Sequence, residues 1–293
     1  MMLKSPACRS DLLISDKTPK SQSKPHQNNT KQAIILALFG TLDKKAKKSY
    51  DRIVEQYQRN FPNCDIKLIY TSSFIRKKSL TNGDNLKSLS EQLDELIKNN
   101  INKIVIQSLH IMSGLEYKKL IKTISDFHST RKGNYKISVG KPLLTSQNDL
   151  NLLLNSLENK YLLNDFTNKN GGVIFFLHGD KSKKTDQQQK EVELSLKKYN
   201  ENFYIEKIDS NKIDSSITKK IKEKQVNKLY LLPLFLIAGH HVINDICGES
   251  PQSWNSFFKG NDIKTTPIIK GLGDVSNVVQ IFITHTQEAL KII

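Results

Sequence analysis

Residues 227–245 read NKLYLLPLFLIAGHHVIND, an unbroken apolar run that stops at a glycine and two adjacent histidines. Runs rich in Leu and Ile throughout belong to strands buried on both faces, as in parallel sheets covered by helices. Seven others share this character: AIILALFG (33–40), DIKLIYTS (65–72), NKIVIQSLH (102–110), YKISVG (135–140), GGVIFFLHG (171–179), NFYIEKID (202–209) and DIKTTPIIKG (262–271). Between them lie stretches of helical period, among them DKKAKKSYDRIVEQYQRNF, LKSLSEQLDELIKNN, LEYKKLIKTISDFHST, DQQQKEVELSLKKYN, SSITKKIKEKQ and VSNVVQIFITHTQEALKII. The alternation predicts an α/β protein of two doubly wound units with four main parallel strands each. Residues 32–166 make the first unit and 167–293 the second, joined near NDFTNKNGG (164–172). Residues 1–31 are polar, rich in Lys, Ser and Gln, and predict a disordered tail.

The two units resemble each other. SLHIMSGLEY (108–117) and PLFLIAGHHV (233–242) each close a third strand, and Gly114 falls on Gly239 at an offset of 125 residues. The same offset carries Pro142 onto Pro267, and LFGT (38–41) corresponds to LHGD (177–180) after each first strand. This pattern predicts duplication about a pseudo-two-fold axis, with Phe39 the counterpart of His178 and Glu116 that of His241.

The chain has 293 residues and a formal charge of +16, carried by 40 Lys against 5 Arg. Lysines scattered among Asn and Gln make a solvated surface rather than an arginine-rich nucleic-acid stripe, and suit a polycarboxylate ligand. Cys8, Cys64 and Cys247 show no CxxC spacing, which argues against a disulfide framework or zinc knot and fits a reducing cytoplasm. No apolar stretch reaches the 18 residues of a spanning helix, so no membrane role is expected.

Ligands of open α/β sheets bind beyond the carboxyl ends of the strands, where the candidate residues fall. His178 follows VIFFL beside Gly179, Glu206 lies in FYIEKID, and His241 follows the third strand of the second unit. Such a set suits a borderline divalent ion, Co²⁺, Fe²⁺, Ni²⁺ or Zn²⁺, and equally suits proton transfer near neutral pH. GxxxxGK[ST], GxSxG and HExxH are absent, which removes P-loop, esterase and zincin chemistry, and KGLGDVSN lacks the third glycine of a dinucleotide site. His26 is in the tail, while His128 and His285 sit in helical segments as packing residues.

QSLHIMSGLEY, LHGD, LPLFLIAGHHVINDI, SWNSFF and TTPIIKGLG, in this order, resemble the anaerobic sirohydrochlorin cobaltochelatases, class II tetrapyrrole chelatases related to ferrochelatase. The likeness runs from about residue 33 to the C-terminus. It implies two Rossmann-like domains related by pseudo-two-fold symmetry, with the tetrapyrrole in the cleft between them. It also implies a cytoplasmic lyase that inserts Co²⁺ into sirohydrochlorin or precorrin-2 in anaerobic cobalamin synthesis, without ATP or another nucleotide. The family's metal-binding histidines fall on His178 and His241, and its acidic partner on Glu206. His240 stands where the family has an acidic residue, and Leu115 replaces another in GLEY. An imidazole titrating near operating pH makes His178 the expected acceptor of a pyrrole proton, and Glu116, opposite across the pseudo-axis, is expected either to relay protons or orient the macrocycle or to cap the helix that begins beside it. Sirohydrochlorin carries eight carboxylates, for which the backbone of Gly40 and Thr41 and the guanidinium of Arg76 are candidate partners. The tetrapyrrole and the divalent metal are the expected partners, and a homo-oligomer is compatible with the sequence. Rival readings are an iron or nickel chelatase of the same fold and a non-catalytic tetrapyrrole or metal carrier; a nucleic-acid-binding protein rests on charge alone.

Overall fold

The computed structural model describes residues 32–83, 86–161, 170–178, 183–208 and 213–293. The predicted tail, most of the predicted junction, and Gly179 and Asp180 lie outside the described residues.

Two four-stranded parallel sheets form, as predicted. The first holds β1 (Gln32–Leu38), β2 (Asp65–Tyr70), β3 (Lys103–Ser108) and β4 (Lys136–Gly140) in the order β2-β1-β3-β4, all parallel. The second repeats that order as β6-β5-β7-β8, with β5 (Gly171–Leu177), β6 (Phe203–Lys207), β7 (Lys228–Pro233) and β8 (Lys264–Pro267). β5 is buried at every position because helices cover both of its faces. β7 stops at Pro233 although the apolar run continues to Ala238, and Leu234 N–H still donates to Phe176 O at 2.8 Å, one ladder bond beyond the strand.

The helices are α1 (Lys44–Asn60), α2 (Ser73–Thr81), α3 (Leu89–Lys98), α4 (Leu115–Thr130), α5 (Gln147–Tyr161), α6 (Lys183–Tyr199), α7 (Ser216–Glu223), α8 (Trp254–Lys259) and α9 (Ser276–Leu290), with a π-helix at His241–Ile246. Local chemistry fixes several starts. The Asp43 carboxylate accepts from Lys45 N and Ala46 N at 2.7 and 3.2 Å at the head of α1, and Ser88 and Glu91 form a reciprocal capping box on α3.

Packing stacks these elements as helix, sheet, helix, sheet, helix. One central core joins alternate residues of both sheets (Ile34, Leu36 and Val105; Val173, Phe175 and Leu232) to α1, α5 and α9. A second core lies outside the first sheet under α3 and α4, and a third outside the second sheet under α7, the π-helix and α8. The last helix, in the second unit by sequence, seats on the first sheet. Thr286 Oγ1 reaches Gln107 Oε1 at 2.9 Å and Tyr57 Oη at 3.1 Å, Ser138 Oγ donates to Ala289 O at 2.8 Å, and buried His285 meets Asp149 at 3.1 Å. An Arg52–Asp274 ion pair adds a further cross-unit contact. Separating the units would expose this polar network together with the shared apolar core.

The duplication extends to individual hydrogen bonds. Leu109 N donates to Ala37 O at 2.8 Å, as Leu234 N does to Phe176 O; Thr71 N donates to Leu38 O at 2.7 Å, as Ile208 N does to Leu177 O at 3.1 Å. These bonds make Phe39 and His178 counterparts, and likewise Ile69 and Glu206. They also carry the offset of 125 onto Glu116 and His241. One expected correspondence fails. β8 pairs Leu231 with Pro267 where β4 pairs Ile106 with Val139, so the fourth strands are displaced by three residues and Pro142 is not the counterpart of Pro267. Proline cannot donate to a ladder, and the two prolines sit at different places, one beyond its strand and one at the last strand position.

Candidate active site

At the carboxyl ends of the second sheet, β5 delivers His178 and the π-helix delivers His241. Their ring centroids stand 4.8 Å apart at 90°, and the His178 ring also rests edge-on against Phe235 at 4.7 Å. The π-helix is closed by Cys247 N–H donating to Val242 O at 3.0 Å, an i to i+5 bond. Such wide turns are frequent at functional sites. Val242 and Ile246 anchor it in the outer core while His241 and Asp245 remain about half exposed.

The turn treats its two histidines differently. His241 Nδ1 is 2.6 Å from Asp245 Oδ2, which assigns the proton to Nδ1 and leaves Nε2 with a free lone pair. His240 Nδ1 instead accepts from Asn244 Nδ2 at 3.0 Å, so its ring is tied to its own turn. Asp245 is not among the residues expected from the sequence, although it stands in the quoted HHVIND four residues after His241; helical spacing from a candidate ligand is the signal that could have found it.

Glu206 lies on the neighbouring strand at the level of Phe176, two residues short of His178. Parallel register puts it on the outer face of the sheet with Tyr204, Ile208 and Phe176. Burial pushes its carboxyl up to about 7, reinforced by Asp214 and opposed by Lys220. The structure therefore brings the two histidines together, and Glu206 onto an adjacent strand. Among the described residues no group of three or more His, Cys, Asp or Glu side chains stands at metal-binding spacing.

A family model described as cobalt chelatase, CbiK, matches residues 32–291. The chain belongs to the CbiK family of cobalt chelatases. A sirohydrochlorin cobaltochelatase of Salmonella typhimurium is 26% identical over 263 residues, 89% of this chain and 97% of that protein. The sirohydrochlorin cobaltochelatase CbiKC of Nitratidesulfovibrio vulgaris is 23% identical over 272 residues, 92% and 94% of the two chains. Among solved structures, SirB from Bacillus subtilis with Fe³⁺ superposes at a TM-score of 0.63 with 12% identity, covering 88% of this chain and 95% of that one. That likeness speaks for the two-domain chelatase fold.

In this CbiK-family chain the first sheet presents different groups. Glu116 lies in the first turn of α4, where the helix dipole favours a carboxylate, and pairs with Lys119 at 2.6 Å. His110, at the end of β3, is held between Ser108 Oγ at 2.9 Å and Thr71 Oγ1 at 3.3 Å, and burial lowers its imidazole to about 4 despite nearby Glu116. Arg76 lies in α2, a helix absent from those expected above, and its Nη1 donates to the carbonyls of Tyr70 and Thr71. Part of the expected carboxylate fork is thus occupied in capping β2. Gly40 has φ +102, and a Cβ there would stand 2.6 Å from the Tyr70 ring; its backbone also hydrogen bonds Tyr50. Thr41 Oγ1 accepts from Asp43 N at 3.1 Å. Among the described residues no helix is long and apolar enough to cross a membrane.

Proposed function

We propose that the protein inserts Co²⁺ into sirohydrochlorin, or the closely related precorrin-2, without ATP, in the cytoplasm and on the anaerobic route to cobalamin. The observation that carries this reading is the His178–His241 pair. A single ion bonded at ~2.0–2.1 Å to one nitrogen of each ring, at a near-tetrahedral angle, sets the ring centroids roughly 5 Å apart. The observed 4.8 Å is close to that separation and supports the reading.

The chemistry has three requirements. The dication must lose water, the macrocycle must present its pyrrole nitrogens, and two pyrrole protons must leave as the metal enters, so that the charge of the ion is balanced by two released H⁺. Neutral imidazoles at His178 and His241 would hold the ion and leave positions open for incoming nitrogens, and the Glu206 carboxylate, which stands on the adjacent strand outside any three-ligand cluster among the described residues, would complete the set as the ion binds. A closed four-ligand site would retain the metal. Once the ion has passed to the macrocycle and freed its ring nitrogen, His178 would accept one pyrrole proton, with Glu116 the counterpart that relays protons to solvent or orients the ring. The backbone of Gly40 and Thr41 and the remaining guanidinium nitrogens of Arg76 serve the peripheral carboxylates.

Purified protein mixed anaerobically with sirohydrochlorin and Co²⁺, without nucleotide, should turn over with a change in visible absorbance. No spectral change beyond the uncatalysed rate contradicts the reading. Ligand type does not choose among Co²⁺, Fe²⁺ and Ni²⁺, which follow a common affinity order, so competition among the three ions in this assay identifies the preferred metal.

A further inference from the structure

Phe39 is 49% exposed although its backbone is held firmly. Its carbonyl accepts from Ser72 N at 3.2 Å, the preceding Leu38 carbonyl accepts from Thr71 N at 2.7 Å, and Gly40 turns the chain tightly over Tyr70. Repeated hydrogen bonds make Phe39 the positional equivalent of His178. The second unit pairs a histidine after its first strand with a phenylalanine after its third, and the rings touch. The first unit reverses the pair as Phe39 and His110. There the histidine turns to Ser108 and Thr71 instead, and no aromatic ring packs on Phe39 among the described residues. Folding thus fixes the backbone that carries this aromatic ring without covering the ring itself.

We propose that Phe39 is a substrate-positioning residue, a fixed aromatic surface against which the flat face of the tetrapyrrole rests. This deepens the chelatase reading and depends on it. The surroundings suit that occupant. Lys44 and Lys45 open the helix after β1 and Lys77 and Lys78 lie on the helix after β2, all exposed. An exposed aromatic ring between two helices that carry exposed lysines, one of them, Lys78, lying over the Phe74 ring at 4.9 Å, complements a planar macrocycle edged with carboxylates. The same lysines repel a second copy of this chain. The two units then hold opposite sides of the reaction, with imidazoles of the second presented to the metal and a ring of the first presented to the ligand plane.

Equilibrium titration with metal-free sirohydrochlorin, followed by its visible absorbance, tests the assignment without requiring turnover. Phe39→Ala should weaken binding about tenfold, while Phe39→Trp restores it to within about twofold of the wild type. The Co²⁺ KM should be the same in all three proteins, as a general loss of structure would not leave it. Phe39→Ala binding the tetrapyrrole as tightly as the wild type overturns the proposal. A wild-type protein that binds sirohydrochlorin but inserts no metal counts against the chelatase reading instead, and a fall in apparent mass on size exclusion for Phe39→Ala alone replaces the tetrapyrrole by a second copy.

Discussion

The two sheets share strand order and repeat hydrogen bonds at their carboxyl ends, yet corresponding positions carry opposite chemistry. Where the second sheet has His178, Glu206 and His241, the first has Phe39, Ile69 and Glu116. Ile69 is buried in the outer core, and Phe39 has no nitrogen to offer. A duplicated backbone supplies two equivalent frames, and at the first two positions side-chain substitution gives imidazole and carboxylate groups to one and an aromatic and an aliphatic group to the other. The third position shows how far that substitution reaches. In the first unit it begins a 16-residue α-helix, and in the second a six-residue π-helix whose wider turn sets His241 beside Asp245.

The comparison breaks most sharply at His241. His241→Ala should abolish chelation at ordinary cobalt concentrations, Asp245→Asn should weaken Co²⁺ binding about 10–100-fold through loss of ring orientation, and His240→Ala should retain most activity. Steady-state assays over a range of Co²⁺ read all three. Equal loss on changing His240 and His241 would remove the distinction between them.

A smaller effect separates the units by pH. Burial favours the neutral form of both Glu206, raised to about 7, and His110, lowered to about 4. For Glu206 the folded value exceeds the unfolded one, so its contribution to stability is present below the unfolded value and lost as pH rises through 7. His110 has the opposite sign: its contribution is present above the unfolded value near 6.5 and lost as pH falls through 4. Glu206→Gln in the metal-free protein should therefore add about 1–2 kcal/mol of stability at pH 8 and little at pH 5, measured by denaturant unfolding. The same gain at both pH values would show that the carboxyl is not held neutral by burial.

Much of this is legible in the sequence. All eight strands are placed by it, because continuous apolar runs between polar segments leave few alternatives. The family resemblance of the strand-end motifs points to the same residues that the duplicated register relates. α5 is absent from the expected helices although Leu150, Leu153, Leu154 and Leu157 have helical spacing and are buried. The π-helix has no comparable signature, since an i to i+5 bond leaves no hydrophobic period to detect. That α9 covers the first sheet is equally hidden: its apolar face fits any sheet, and the partners that select this one, Gln107, Ser138 and Asp149, lie well over a hundred residues away. Pro142 and Pro267 match by letter and offset, but register, which depends on strand pairing, sets them apart.

Paramagnetic Co²⁺ titrated into ¹⁵N-histidine-labelled protein most directly tests the claim that only the second unit's strand ends hold the metal. The ring signals of His178 and His241 should broaden first and together, at substoichiometric ion, while those of His110 and His285 persist. Early broadening of His110, or of neither His178 nor His241, would contradict it.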